Sequence, residues 1–252
     1  MRITATIITI DEERNIARAI ESLRCCDEIL IVDSGSVDRT VELAEKLGAR
    51  VIEAGWLGFA AQKNRAAEQA SHDWILSLDA DEAIGEALEA EIWNLKKSGP
   101  QYDAYTMPRM ARYLGRWILH SGWYPDYKLR LFNRRSGTWE GAYVHESVEV
   151  SGRIATLPGE ILHYTCNSLD EHRARIEFYT DLAAKEMFER GESVSLLGRT
   201  LGPPWVFLNT YVFRLGMLDG WPGYLIAKMA ARYVRRKYTK LANLQKAACA
   251  QR

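Results

Sequence analysis

The amino-acid sequence predicts an α/β fold: a mixed, mainly parallel sheet flanked by helices, with a helical C-terminal extension. Short apolar runs alternate with helix-period segments through residues 1–99, acids stand where several of those runs end, and the chain reads as helical from about Leu169 onward. Strands separated by single helices imply βαβ units and parallel pairing.

The apolar run 3–10 reads as a buried strand, after which Ile16, Ala19, Ile20 and Leu23 recur at helical spacing. A second strand at 28–32 runs into the turn-forming Asp33-Ser34-Gly35-Ser36. Val41, Ala44 and Leu47 mark a second helix that Gly48 ends, and Val51-Ile52 is a short third strand. A helix follows over 59–70, then a strand over 74–78 ending in Asp79-Ala80-Asp81. Leu88, Ile92 and Leu95 carry the next helix, closed by Gly99-Pro100. Residues 102–165 are rich in aromatics, glycine and arginine, with short β-like pieces at 104–107, 128–132, 147–150 and 160–164. The helical remainder is interrupted at Gly202-Pro203-Pro204 and Gly220-Trp221-Pro222-Gly223. The domain division expected is 1–190, split into halves at 1–99 and 100–190, followed by a basic-aromatic extension over 191–252.

At 252 residues the chain can bury a sizeable core. Lysine plus arginine equals aspartate plus glutamate at 33 each, so net charge selects no partner, but its distribution does. Between residues 199 and 240 stand Arg199, Arg214, Lys228, Arg232, Arg235, Arg236, Lys237 and Lys240 against the single acid Asp219. Such a run is commonly a solvated face; interleaved with Trp205, Phe207, Tyr211 and Phe213 it also suits an anionic membrane surface, with residues 232–240 toward lipid. The four cysteines, Cys25, Cys26, Cys166 and Cys249, have no metal-ligand spacing, which suits a reducing compartment. The start lacks a signal-peptide pattern, and no window offers the roughly 20 apolar residues of a spanning helix. A soluble or peripheral cytoplasmic protein is expected.

Parallel sheets bind ligands beyond the carboxyl ends of their strands, so the acids there carry the functional reading. Asp11, Glu12 and Glu13 follow the first strand, Asp33 the second, and Asp79 and Asp81 the fourth. The first three could be helix first-turn charges and Asp33 a turn residue. Two carboxylates as close as Asp79 and Asp81 repel unless a cation or donors offset them, and hard divalent ions take such oxygens together with substrate phosphates. The dinucleotide fingerprint G-x-G-x-x-G and the P-loop are both absent. What remains is a nucleotide held by acids, with its diphosphate held through a metal.

The motifs Thr9-Ile10-Asp11-Glu12-Glu13, Val32-Asp33-Ser34-Gly35-Ser36-x-Asp38, Gly58-Phe59-Ala60-Ala61-Gln62-Lys63-Asn64 and Leu78-Asp79-Ala80-Asp81-Glu82 resemble those of family 2 glycosyltransferases with the GT-A fold. Residues 123–132, Val144-His145-Glu146 and Leu218-Asp219-Gly220 extend the resemblance to the lipopolysaccharide core β-glucosyltransferase subfamily. The resemblance implies that Thr9, Glu12, Asp33 and Ser34 surround the nucleotide's base and ribose, with Lys63 and Asn64 lining the same pocket. Asp79 would face the ribose and Asp81 would bind the metal, Mg or Mn. Asp11 stands where the family usually has asparagine.

An inverting transferase also needs a base for the acceptor hydroxyl. Asp126, Glu140 and Glu146 are the candidates. The Val-His-Glu motif favours Glu146, with His145 orienting it. Some GT-A enzymes supply a late histidine to the metal, and His163 is the best-placed residue for that. The arginine-aromatic stretch 109–135 could read nucleic acid. With a sugar-donor site upstream, an anionic glycan is the more economical partner. The function implied is inverting transfer of a hexose, glucose from UDP-glucose, to a lipid-linked, anionic core oligosaccharide at the inner face of the cytoplasmic membrane. The alternatives are another glycan or polyprenyl-phosphate acceptor, or a non-catalytic nucleotide-sugar or membrane-binding module.

Overall fold

The computed structural model describes residues 1–141 and 146–250. They form two compact units: Met1–Met110 with Pro125–Tyr164, and Ala111–Tyr124 with the chain from Thr165 onward.

In chain order the first unit begins β1 (Ile3–Thr9), α1 (Ile16–Glu21), β2 (Glu28–Asp33), α2 (Thr40–Lys46), β3 (Arg50–Glu53), α3 (Phe59–Gln69), β4 (Trp74–Asp79), β5 (Glu82–Ile84) and α4 (Glu86–Ser98). There follow β6 (Ala104–Tyr113), β7 (Arg116–Trp117), β8 (Asp126–Asn133), β9 (Gly137–Glu140), β10 (Ser147–Val150), β11 (Ile154–Thr156) and β12 (Ile161–Cys166). The sheet order is β3-β2-β1-β4-β8-β6-β12-β5, with β11 added on β6, and β9 and β10 form a separate hairpin. Strands β3, β2, β1 and β4 are parallel, whereas β4–β8, β8–β6 and β12–β5 pair antiparallel. The sheet is mixed, as the sequence predicts.

Every residue of β1 is buried, as expected of a parallel strand covered on both faces. Ile3, Ala5 and Ile7 pack with Leu76, Leu78, Leu88 and Ile92 in one core, while Leu30, Ile75, Ala67 and Phe132 fill a second. Each such Leu or Ile contributes about 1.5–3 kcal/mol through burial. The strands that periodicity does not reveal, β5, β7, β9 and β11, have two to four residues each and are too short to carry a period.

In the second unit β7 pairs with Arg112 and Tyr113 at the end of β6. Next come α5 (Leu169–Glu189), α6 (Leu196–Leu208), a π-helical turn Asn209–Phe213, a 3-10 turn Gly216–Asp219 and α7 (Trp221–Ala250). Ser168 and Ser195 cap α5 and α6 by accepting the N–H of Glu171 and Gly198. The division expected after residue 190 falls between α5 and α6, inside this unit.

The break expected at Gly202-Pro203-Pro204 does not occur: both prolines lie within α6. Gly202 faces Tyr238 and Val234 of α7, and packing on that helix outweighs the backbone bonds the prolines forfeit. The break at Gly220 is real, with φ +69 before α7 begins. Gly223 is required there, since a Cβ would collide with the Gly216 carbonyl oxygen. Asp219 is buried and accepts the backbone N–H of Leu119 and His120 and the Ser121 hydroxyl, so the Leu218-Asp219-Gly220 signature is a clasp within this unit. Among the described residues no helix is long and apolar enough to cross a membrane.

Candidate active site

The parallel register of β1 with β2 and β4 sets Thr9 opposite Asp33 and Ile8 opposite Asp79. Thr9, Asp33 and Asp79 therefore share one rim at the carboxyl ends of adjacent strands. Chain order reverses about β1 there, which is where open α/β sheets bind ligands.

Along that rim Asp33 is 1% exposed; its carboxylate accepts the N–H of Gly35 and Ser36 and the Ser36 hydroxyl. It thereby shapes the turn that carries Ser34, whose hydroxyl accepts from Gln62 at 3.1 Å. Asp11 adopts φ 52 and accepts the N–H of Val37 at 2.8 Å. Asparagine and aspartate tolerate that left-handed conformation better than other side chains, which suits Asp11 to this turn. Glu12 donates its N–H to Thr40 and its carboxylate accepts from Asn15. Thr9 Oγ1 and Gln62 Oε1 are buried without a hydrogen-bond partner, two polar atoms available to a ligand at this rim.

A ladder of alternating charges runs across the neighbouring pocket. Lys63, 1% exposed, reaches Glu146 at 3.0 Å and Asp79 at 2.9 Å, and lies 4.4 Å from the Trp139 ring centre. Arg130 joins Asp79 at 2.7 Å to Glu82 at 2.9 Å. Arg109 joins the same Glu82 oxygen to Asp126, which Lys128 also meets at 3.0 Å. Burial opposes ionisation of Asp79, but the charges of Arg130 and Lys63 outweigh it and hold the carboxyl far below its usual range. Burial likewise works against the Arg130 charge, which Asp79 and Glu82 restore and strengthen. Asp126 is also held low by Arg109 and Lys128 in spite of its burial. The pocket, about 310 Å³, is lined by Asp79, Arg109, Tyr127, Arg130, Trp139 and Glu146 among others. Arg130 Nε and Trp139 Nε1 are buried beside it with no partner.

Of the three base candidates, only Glu146 lines this pocket, where Lys63 meets it at 3.0 Å. Asp126 is clamped between two cations. Glu140 follows the inward Trp139 on β9 and so points to the opposite, exposed face. His145 lies outside the described residues. Asn64 is committed elsewhere: its amide donates to the Trp139 carbonyl and accepts the Trp139 N–H, both at 2.8 Å, fixing the pocket wall.

Asp81 and His163 come together because β12 pairs antiparallel with β5, with His163 opposite Glu82. Their Oδ2 and Nε2 atoms lie 3.2 Å apart, and Tyr164 donates its N–H to the Asp81 carbonyl at 2.9 Å. Among the described residues no group of three or more His, Cys, Asp or Glu side chains is arranged to hold an ion. A carboxylate and an imidazole in contact fit a divalent ion whose remaining ligands are diphosphate oxygens and water.

Arg109 and Arg130, within the arginine-aromatic stretch expected to meet an anionic glycan, are both bound by the protein's own acids. Glu82 stands in the 78–82 motif with no role of its own assigned there, and nothing in the sequence marks Trp139 as a pocket residue. The signal was present for the first group: Asp126, Lys128 and Arg130 alternate along one face of β8, and Glu82 directly follows Asp79-Ala80-Asp81.

Residues 4–144 match the family model described as glycosyl transferase family 2. An uncharacterized glycosyltransferase of Rickettsia typhi is 32% identical over 93% of this chain and 85% of its own length. The lipopolysaccharide core biosynthesis glycosyltransferase LpsC of Rhizobium meliloti is 31% identical over 92% of this chain and 88% of its own length. Among solved structures, S. aureus TarS residues 1–349 align at 15% identity with a TM-score of 0.47, covering 98% of this chain and 92% of that one.

Proposed function

Since the chain belongs to glycosyl transferase family 2, we propose that it is an inverting, metal-assisted hexosyltransferase. The donor we assign is UDP-glucose, and the acceptor an anionic, lipid-linked lipopolysaccharide core or a related cell-surface glycan, met at the inner face of the cytoplasmic membrane. The observation that carries the chemistry is the sharing of one buried ammonium, that of Lys63, by Asp79 and Glu146.

In a single displacement the acceptor hydroxyl oxygen bonds to the anomeric carbon from the face opposite the leaving diphosphate. The anomeric carbon–oxygen bond to the diphosphate breaks as the hydroxyl proton goes to a base. Glu146 is that base in our reading, supported by its position on the pocket wall. Asp79 is too well stabilised as an anion to accept a proton, which suits it to hydrogen-bond the ribose instead. Thr9, Glu12, Asp33 and Ser34 contribute to the nucleoside side, Glu12 and Asp33 chiefly by fixing loop shape. Asp81 and His163 would hold the divalent ion, Mg or Mn, which when bound offsets charge developing on the leaving diphosphate. Lys63 keeps Glu146 beside Asp79, and Asn64 keeps Trp139 in the wall.

The test is transfer from a panel of nucleotide sugars to a defined core oligosaccharide, with Mg or Mn and with chelator. A β-linked hexose formed only with the divalent ion is the expected result. Transfer that persists undiminished in chelator contradicts the metal assignment.

A further inference from the structure

The second unit carries a cationic cavity that the reaction does not use. It lies among α5, α6 and α7, has a volume of about 750 Å³, and its wall includes Arg173, Arg199, Lys228, Arg232 and Arg235. Arg173 meets Asp170, and Arg232 lies 3.7 Å from Glu177. Arg199, Lys228 and Arg235 form no ion pair among the described residues. Pro203, Pro204 and Phe207 supply apolar lining. Among the described residues no carboxylate lines it.

Helix α6, which lines part of this cavity, also presents a face that no described residue of the unit covers. None of its residues is buried. Leu197, Leu201, Trp205, Leu208 and Val212 follow one another at spacings of three or four along the helix and its π-helical continuation, forming one stripe. Leu197 is 69% exposed, Leu201 59% and Trp205 58%. Phe213, Leu218 and Trp221 are exposed just beyond. A soluble surface rarely leaves so many large apolar side chains together in water.

We infer that this face docks on an anionic phospholipid bilayer, with the α6 stripe entering the acyl boundary and the cavity cations seating lipid phosphates. Charge decides the occupant. A second copy would bring one set of unpaired cations against another, and like-charge contact opposes association. An anionic bilayer supplies both the counter-charge and an apolar layer at the depth an interfacial helix reaches. The cations that matter, Arg199, Lys228 and Arg235, are a subset of the basic run in the sequence. Arg232, Arg236 and Lys240 of that run instead converge on Glu177, and Lys240 also meets Asp181, so these three hold α7 on α5. The inference rests on the proposed membrane-bound acceptor but not on the transfer chemistry.

The test is cosedimentation of the full chain with vesicles of phosphatidylcholine alone and of phosphatidylcholine with phosphatidylglycerol. The expected result is binding to the anionic vesicles only, weakened by salt, with a blue shift of tryptophan emission. Replacing Arg199, Lys228 and Arg235 by glutamine together is expected to weaken binding about a hundredfold, at about tenfold or less per charge. Leu197→Ser with Leu201→Ser is expected to abolish the blue shift. All these side chains lie outside the catalytic pocket, so transfer to a delipidated, soluble acceptor is expected to be unchanged and reports that each variant is folded. Equal binding to neutral vesicles, undiminished binding by the triple variant, or self-association through α6 in place of vesicle binding overturns the docking surface. Failure of transfer to the soluble acceptor by the unmodified chain would instead count against the proposed function, leaving vesicle binding to be judged separately.

Discussion

Lys63 Nζ stands 3.0 Å from Glu146 Oε1, on a side chain that is 1% exposed. A buried ammonium is retained only with compensating partners, and here they are Glu146 and the Asp79 carboxylate at 2.9 Å. Lys63 thus ties the hairpin strand region of Glu146 to the rim at the end of β4.

Lys63→Met removes that tie and leaves Glu146 without its counter-charge. The expected cost is about 3–5 kcal/mol of stability, read from denaturant midpoints, with turnover falling further than nucleotide affinity. A midpoint within error of the unmodified chain would show that the buried pair does not hold the pocket together.

Glu82 accepts from both Arg109 and Arg130 and is itself buried. Glu82→Gln leaves two partly or fully buried guanidinium groups short of charge and is expected to destabilise the protein by about 3 kcal/mol. Glu82→Asp, which keeps the charge but shortens the reach, is expected to fall between the two in thermal unfolding.

Glu28 gives the fold an acid-sensitive element away from the pocket. Burial opposes its ionisation, yet Ser71 N–H, the Thr4 and Ser71 hydroxyls and Arg50 together lower it from 4.5 to about 2. A depressed carboxylate contributes stability fully present above its unfolded value and lost as pH falls through the folded one. The loss is therefore expected between pH 4.5 and about 2, amounting to about 3 kcal/mol. Glu28→Gln is expected to flatten that part of the stability–pH curve; an unchanged acid limb would remove Glu28 from the account.

The rim was legible in the sequence because parallel strands with acids at their ends leave a local signature: β1, β2 and β4 with Thr9, Asp33 and Asp79 need only period and position. The pairing of Asp81 with His163 rests on strand register between residues 82 apart, which no local pattern encodes. The same holds for Lys63 with Glu146, separated by 83 positions. Arg130 was visible as a basic residue in an aromatic stretch, but its commitment to Asp79 and Glu82 depends on β8 lying against β4. In the second unit, helix-breaking residues misled at Pro203 and Pro204 because tertiary packing overrode propensity, and succeeded at Gly220, where a left-handed φ is needed.

For Asp81 and His163, Asp81→Asn and His163→Ala are each expected to weaken divalent-ion-dependent binding of the nucleoside diphosphate at least tenfold, with ion-independent binding little changed. Calorimetric titration with and without Mn measures this. Equal losses with and without the ion would assign both residues to structure alone.

The measurement that bears most directly on the proposed chemistry is single-turnover transfer by Glu146→Gln, with the anomeric configuration of the product determined. Glutamine keeps the size of Glu146 but cannot take a proton. The chemical step is expected to slow by about 10²–10⁴-fold. Affinity for the nucleoside diphosphate should stay near that of the unmodified chain, and the unmodified enzyme should convert an α-linked donor to a β-linked product. Near-normal turnover by Glu146→Gln would take the base away from this pocket wall, and an α-linked product would contradict single displacement itself.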